Sequence, residues 1–382
     1  MKIQQYLYRQ LITIFCLAVL FSSSAQAQTV KMVNVFESGT EGYTSFRIPA
    51  LLTTKQGTVL AFAEGREVSS DHAANDIVLK RSEDAGLSWS ELEVIAEDGD
   101  NSLNNPQVVQ EQETGRIILM YQRFPEGIHE REVVPGLEGD EICRSFVMYS
   151  DDDGKSWSMP RDITASVKRP TFVTSVASGP GTGIQLEKGP HAGRLIMPFN
   201  QGPFSQWKVY AVYSDDKGAT WQYGEVAFND SPGTGNEVQM VELSDGSVML
   251  NARSYEGNQL RKVAVSPDGG ANWTGLVDDP GLIESQCQAS ILRYSFLESG
   301  EKSRILFANP ASKDSRTHGT IKISYDEGKS WEVSKLLYEG PFAYSSLTKL
   351  GDGVIGLLFE KDGYATITLA IVPLAYLEGD GL

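Results

Sequence analysis

Cysteine is scarce in this chain: three residues in 382, at positions 16, 143 and 287, with only four histidines beside them. None of them stands at metal-ligand spacing, so no zinc or other metal site is signalled, and Cys143 with Cys287 amounts to one bridge at most rather than a disulfide framework. Positive charge is also in short supply, with 33 Lys and Arg against 50 Asp and Glu and a net charge of −17. An exterior that acidic disfavours nucleic acid and anionic membranes as partners, although a pocket within it can still be basic. Helical periodicity is rare, and past the first few dozen residues no stretch reaches the roughly 20 apolar residues that span a bilayer.

The single apolar run, Leu11 to Phe21, reads as an export signal. Lys2 and Arg9 supply the positive flank, and Ser22-Ser23-Ser24-Ala25-Gln26-Ala27 ends in an A-x-A cleavage site. The run is too short for an anchor, and Cys16 lies inside it rather than just beyond the cleavage point, as a lipoprotein would require. Residues 1–27 are therefore expected to be a signal peptide and 28–382 a single domain that is secreted or periplasmic, with no membrane span after cleavage.

What the chain has in abundance is one repeated turn. The pattern S-x-D-x-G-x-x-W occurs at Ser82, Ser150, Ser214, Ser266 and Ser324, with starts separated by 68, 64, 52 and 58 residues. Five of the six tryptophans fall in this register, namely Trp89, Trp157, Trp221, Trp273 and Trp331. An Asp that bonds nearby backbone N–H groups and a Gly that tolerates positive φ suit a β-hairpin turn, and the Trp can fold back over the hairpin as an apolar plug. Apolar runs precede each copy, such as Ile77-Val78-Leu79 and Val209-Tyr210-Ala211-Val212, and read as the inner strands of successive sheets. A repeat of this length with several strands predicts an all-β fold, a six-bladed β-propeller. Five blades carry the turn, and the N- and C-terminal strands share the sixth.

This turn is the Asp box, and with it the chain resembles the sialidases. The box alone predicts fold rather than chemistry, since it stabilises hairpins and also occurs in propellers that are not enzymes. The resemblance sharpens outside the boxes and runs from about residue 33 to 372. Phe46-Arg47-Ile48-Pro49 matches the family's F/Y-R-I-P motif, and Ala63-Glu64-Gly65-Arg66 with Asp71 beyond it matches A-E-x-R and its acid/base aspartate. Glu237, Arg253 in Asn251-Ala252-Arg253, and Arg316 follow in order. Tyr344 in Ala343-Tyr344-Ser345 is similar to the family's nucleophile segment, and Glu360 ends the run Leu357-Leu358-Phe359.

The resemblance implies a retaining exo-α-sialidase acting on sialylated glycans, with Tyr344 as nucleophile, Glu237 as its base and Asp71 as acid/base. Sialic acid carries a carboxylate on its anomeric carbon, which planar guanidinium groups bind through charge-assisted hydrogen bonds. Arg47, Arg253 and Arg316 are expected to converge there, with Glu360 neutralising Arg47. Arg66 is expected to bind ring substituents or steady the Asp71 loop. That carboxylate would repel a carboxylate nucleophile, which a neutral phenol avoids. Tyrosine nucleophiles are a recognised exception to the two-carboxylate scheme of glycosidases. No cofactor or metal is called for.

Rival readings keep the same residues. A hydrolase of another 2-keto sugar acid (deaminated sialic acid or Kdo) or a trans-sialidase would need all of them, whereas a non-catalytic sialic-acid-binding propeller would not need Tyr344, Glu237 and Asp71. Asp76 and Glu242 compete with Asp71 and Glu237, but Asp76 opens a strand and Glu242 abuts a hairpin turn. Gly179-Pro180-Gly181-Thr182-Gly183 lacks the Lys-Ser/Thr of a phosphate loop and is expected to be a rim loop. Phe204, Trp207 and Tyr210 are candidates for a sugar-stacking wall or for packing. Asn229-Asp230-Ser231 and Asn272-Trp273-Thr274 fit the glycosylation pattern.

Overall fold

A computed structural model describes residues 29–297 and 301–379. The signal-peptide reading lies outside the described residues.

The strands form six antiparallel blades around a central channel. Blade 1 comprises Ser45–Thr53, Val59–Arg66, Asn75–Ser82 and Glu93–Ala96, and blade 2 Ser102–Gln110, Ile117–Phe124, Arg144–Ser150 and Arg161–Asp162. In blade 3 the innermost strand is broken into Val176–Ser178, Gly181–Thr182 and Ile184–Gln185, followed by Leu195–Gln201, Lys208–Ser214 and Gln222–Tyr223. Blade 4 comprises Thr234–Glu242, Val248–Tyr255, Leu260–Ser266 and Val277–Ile283. Blade 5 holds Ser290–Ser295, Arg304–Pro310 and Thr317–Ser324, and is completed by the first part of Val333–Gly351. That long strand continues as the innermost strand of blade 6, which adds Val354–Lys361, Thr366–Pro373 and, from the other end of the chain, Lys31–Glu37. Lys31 pairs with Ile371 and Glu37 with Thr366, so the first and last strands close the ring as expected.

Each Asp box connects the third and fourth strands of its blade. In the first, Ser82 Oγ donates to Asp84 and accepts from Gly86 N–H, while Asp84 accepts from the backbone and hydroxyl of Ser88. The other boxes repeat this, with Ser156, Thr220, Asn272 or Ser330 in the place of Ser88. Asn272 thus spends its side-chain amide inside a box, donating to Asp268 at 2.7 Å.

The box tryptophan folds back on its own turn, so that a Cβ on Gly218 would stand 3.4 Å from the Trp221 ring, and it packs as well into the interface with the preceding blade, as Trp157 does edge-on to Phe62 of blade 1. Trp89, Trp221, Trp273 and Trp331 enter the corresponding clusters. The box glycine serves the same interface: Gly270 has φ +91°, and a Cβ there would stand 2.8 Å from Ala211 Cβ of blade 3. The interface between blades 5 and 6 has no box, and the helix Leu374–Glu378 fills the place with buried Leu377.

The apolar runs before the boxes are third strands, not the innermost ones. Third strands are covered by neighbouring blades on both faces, whereas the innermost strands border the channel and interleave apolar residues with buried polar ones such as Gln107, Gln239, Ser345 and Ser346. Their side chains bond across blades: Ser346 Oγ accepts from Leu51 N–H at 3.0 Å, and Gln288 Nε2 donates to Ser345 O at 2.9 Å. The Gly179–Gly183 run belongs to this inner layer and is not a rim loop. Gly181 and Thr182 pair in parallel with Gln107 and Val108, and a Cβ at Gly179 would stand 2.4 Å from Gln107 Nε2.

Candidate active site

At the end of the channel opposite the Asp boxes lies a cavity of about 400 Å³. Arg47, Arg66, Asp71, Glu237, Arg253, Arg316 and Tyr344 all line it, though they come from four blades. The chain aims them by two devices. Innermost strands kink through β-bulges at the level of the cavity, between Arg47 and Ala50, between Gly235 and Val238, and between Phe342 and Ser345. A bulge re-aims the side chains beside it. The loops joining second to third strands then deliver Asp71 in blade 1 and Arg316 in blade 5 to the same end.

Tyr344 sits at the centre. Its hydroxyl donates to Glu237 Oε1 in a short hydrogen bond, while Arg253 Nη1 donates to Glu237 Oε2 at 2.9 Å and to the phenol oxygen at 3.1 Å. Burial and the Glu237 charge push the Tyr344 pKa well above 10, against the pull of Arg253 and Arg316, so the resting group is a neutral phenol. The guanidinium carbons of Arg47 and Arg316 each lie 5.4 Å from the centre of its ring.

Glu360, fully buried, holds three donors: Arg47 Nε at 2.6 Å, Ile48 N–H at 2.8 Å and Tyr344 N–H at 3.1 Å. One carboxylate therefore ties the blade 1 bulge to the blade 6 bulge. It also fixes Ile48, a β-branched residue at φ +58°, a backbone region such residues rarely occupy unless their surroundings impose it. Burial works against the Arg47 charge, yet Glu360 outweighs it and keeps the guanidinium pKa above its ordinary value.

Arg66 and Asp71 form the opposite wall. Arg66 Nη1 donates to Asp71 at 2.6 Å, and its Nε donates to the buried Glu64 at 2.8 Å. Partial burial pushes the Asp71 carboxyl up, but the Arg66 guanidinium and, more distantly, Arg47 prevail and hold it below its usual range. Glu64, in contrast, is pushed up by complete burial despite Arg66.

Arg316 is held differently from the other arginines. Its guanidinium donates to the Tyr364 hydroxyl at 3.1 Å and to Gln286 O at 3.0 Å, both neutral acceptors, and among the described residues no carboxylate pairs with it. Arg253 Nε is buried without an acceptor. The cavity thus offers unspent cationic donors beside a phenol, the setting for an anionic ligand.

The competing carboxylates lie elsewhere. Asp76 accepts from Tyr43 Oη at 2.6 Å, and Glu242 accepts from the backbone N–H groups of Glu187 and Lys188 near the other mouth of the channel. Of the candidate aromatic wall, Trp207 lines the cavity and Phe204 stands beside it, but Tyr210 is buried between blades with its hydroxyl on Val167 O. Cys143 and Cys287 do not pair; both are buried free thiols pushed up to about 12 by burial. Among the described residues no cluster of His, Cys, Asp and Glu could hold a metal ion.

Glu64 and Tyr364 carry weight that the sequence reading did not assign. Glu64 was within reach of it: two residues from Arg66 on a strand, it faces the same side. Tyr364, whose ring lies 4.0 Å from the Arg47 guanidinium, follows the second strand of its blade, as Asp71 and Arg316 do in theirs.

The chain belongs to the sialidase family of BNR-repeat β-propellers. The BNR repeat-like domain family matches residues 57–357. The sialidase of Micromonospora viridifaciens is 37% identical over 351 residues, covering 87% of this chain and 53% of that protein. That of Bacteroides fragilis is 30% identical, covering 86% and 62%. The chain thus spans between half and two thirds of these relatives. Among solved structures, the Hadza microbial sialidase Hz136 aligns with a TM-score of 0.83 at 30% identity, covering 91% of this chain and 69% of the other.

Proposed function

We propose that the protein is a retaining exo-α-sialidase that releases terminal sialic acid from glycans. The observation that carries this reading is the Tyr344–Glu237 hydrogen bond set among Arg47, Arg253 and Arg316. Sialic acid places its carboxylate on the anomeric carbon itself, so a site that binds that carboxylate must attack immediately beside it. The three guanidinium groups bind the carboxylate, each charged hydrogen bond contributing about 1.5–3 kcal/mol.

Asp71, in its acid form, protonates the glycosidic oxygen as that bond breaks. The Tyr344 oxygen bonds to the anomeric carbon while its proton passes to Glu237. The aglycone leaves as an alcohol and Asp71 remains as a carboxylate. Asp71 then takes a proton from water, which displaces the tyrosine; the phenol recovers its proton from Glu237. Two displacements at one carbon give net retention.

The test is release of the fluorophore from an aryl α-sialoside by purified protein, beside Tyr344→Phe. Turnover by the wild type and a loss of at least about 10²-fold in the variant, with binding of a sialic acid analogue retained, support the reading. Equal turnover by the variant removes Tyr344 as nucleophile. Wild-type activity confined to deaminated or Kdo glycosides moves the substrate to another 2-keto sugar acid, and binding without any turnover leaves a lectin.

A further inference from the structure

Beyond the residues already placed, a cation next in sequence to Glu130, which lines the cavity, has no acid partner among the described residues. Arg131 lies in the long connection between the second and third strands of blade 2, the type of loop that brings Asp71 and Arg316 to the same end of the channel. It is exposed, and among the described residues no carboxylate pairs with its guanidinium, which stacks instead on Phe204, 4.2 Å from the ring centre. Its neighbours are engaged elsewhere. Glu130 accepts from Ser175 Oγ at 2.8 Å and Trp207 Nε1 at 3.0 Å, and Glu132 accepts from His129 N–H at 2.9 Å. In a chain of net charge −17, an unpaired arginine stacked beside a cavity is poorly explained as surface decoration.

A run of rings connects Arg131 to the acid. His72 follows Asp71 and lines the cavity, with its ring 4.4 Å from that of His129. His129 stands 6.2 Å from Phe204, and Phe204 4.9 Å from Trp207, which lines the cavity again. The oxygen that Asp71 protonates belongs to the leaving group, so the leaving group lies on the Asp71 side, along this wall. Aromatic faces receive the apolar face of a sugar ring, and a stacked guanidinium is oriented to grip a carboxylate.

We infer that His129, Phe204 and Arg131 form a leaving-group subsite for a sugar that itself bears a carboxylate, so that glycans with one acidic sugar linked to another are favoured substrates. The inference rests on the glycosidase reading above. It needs no group outside this chain, and the only bond broken is the glycosidic one already described.

The test compares kcat/KM of the full chain for first release of sialic acid from an α2,8-linked disialoside and from a sialyl-lactose, whose penultimate sugar is neutral, with an aryl α-sialoside as reference. In Arg131→Ala the ratio of disialoside to sialyl-lactose is expected to fall about three- to fivefold, the scale of an exposed ion pair, and further in Arg131→Glu. The wild-type ratio is expected to fall as ionic strength rises toward about 0.2 M, because the contact is screened. Both values falling by one factor, or a ratio that does not move, overturns the subsite while leaving the glycosidase intact. A wild type silent on all three substrates overturns the glycosidase reading and the subsite with it.

Discussion

Asp71 has two demands to meet. As the acid of the proposed reaction it must carry a proton, yet Arg66 at 2.6 Å and Arg47 beyond it stabilise the carboxylate in the unliganded site. A substrate carboxylate bound at Arg47 weakens part of that pull, so loading the site favours the proton that catalysis needs. The sign can be checked through Arg66→Gln. Removing its charge leaves burial to raise the Asp71 pKa, so the acid form persists to higher pH. The descending limb of kcat/KM against pH is then expected to move upward for alkyl glycosides; a limb that stays put or moves down would refute the assignment. Asp71→Ala should depress kcat/KM for natural glycosides about 10²–10⁴-fold while sparing kcat/KM for aryl sialosides, whose leaving groups need little acid help, although their kcat falls with the loss of the base for water; equal losses in kcat/KM would count against Asp71 as the acid. At this scale the sequence was most informative through the family motifs, which named the residues the cavity gathers. It was silent on Gln286 and Tyr364, because their contact with Arg316 depends on how loops of blades 4 to 6 meet, and no motif encodes that.

The box turn is the element on which the fold is built, and its glycine faces two constraints. At Gly270 the positive φ disfavours any side chain, and Ala211 Cβ occupies the space a methyl would need. Gly270→Ala is therefore expected to destabilise the protein by about 1–3 kcal/mol, read as a lower urea midpoint with an unchanged slope; a shift within experimental error would show that the blades can move apart there. The spacing of serine, aspartate and glycine made each turn legible from sequence, because those contacts are local. That the tryptophan, besides closing its own turn, reaches the preceding blade was not legible. It packs on the neighbouring blade, and a repeat read along one chain says nothing about which side of the repeat is covered. The same limitation explains the third strands mistaken for inner ones: burial by neighbours on both faces produces apolar runs wherever it occurs, while the channel calls for polar side chains at the true centre.

Over the whole molecule, apolar clusters occupy all six interfaces between blades, so the ring holds together only when complete. The seam between blades 1 and 6 joins strands from opposite ends of the chain. Phe36, on the first described strand, is fully buried there, with its ring 5.2 Å from that of Phe46 of blade 1 and tilted to it. Phe36→Ala is expected to lower stability by about 3–5 kcal/mol, the loss typical of a central core position, measured by denaturant unfolding. A loss under about 1 kcal/mol would mean that the closing strand is dispensable. The blade number was legible from five boxes plus two unmarked ends, whereas the helix that substitutes for a sixth box was not, since Leu374–Glu378 is too short to show a period.

Glu360 has its partners on both sides of that seam: Arg47 and Ile48 from one end of the chain, Tyr344 from the other. A chain still being synthesised, with Arg47 made but residues 344–360 not yet added, holds that guanidinium without the carboxylate that fixes it and without the phenol beside it. On the proposed mechanism such a chain is inert. So is any fragment that ends short of the last blade, however well its earlier blades have packed. Catalytic competence on that mechanism therefore arrives only once Glu360 is in place, and assayed turnover would count finished rings rather than polypeptide.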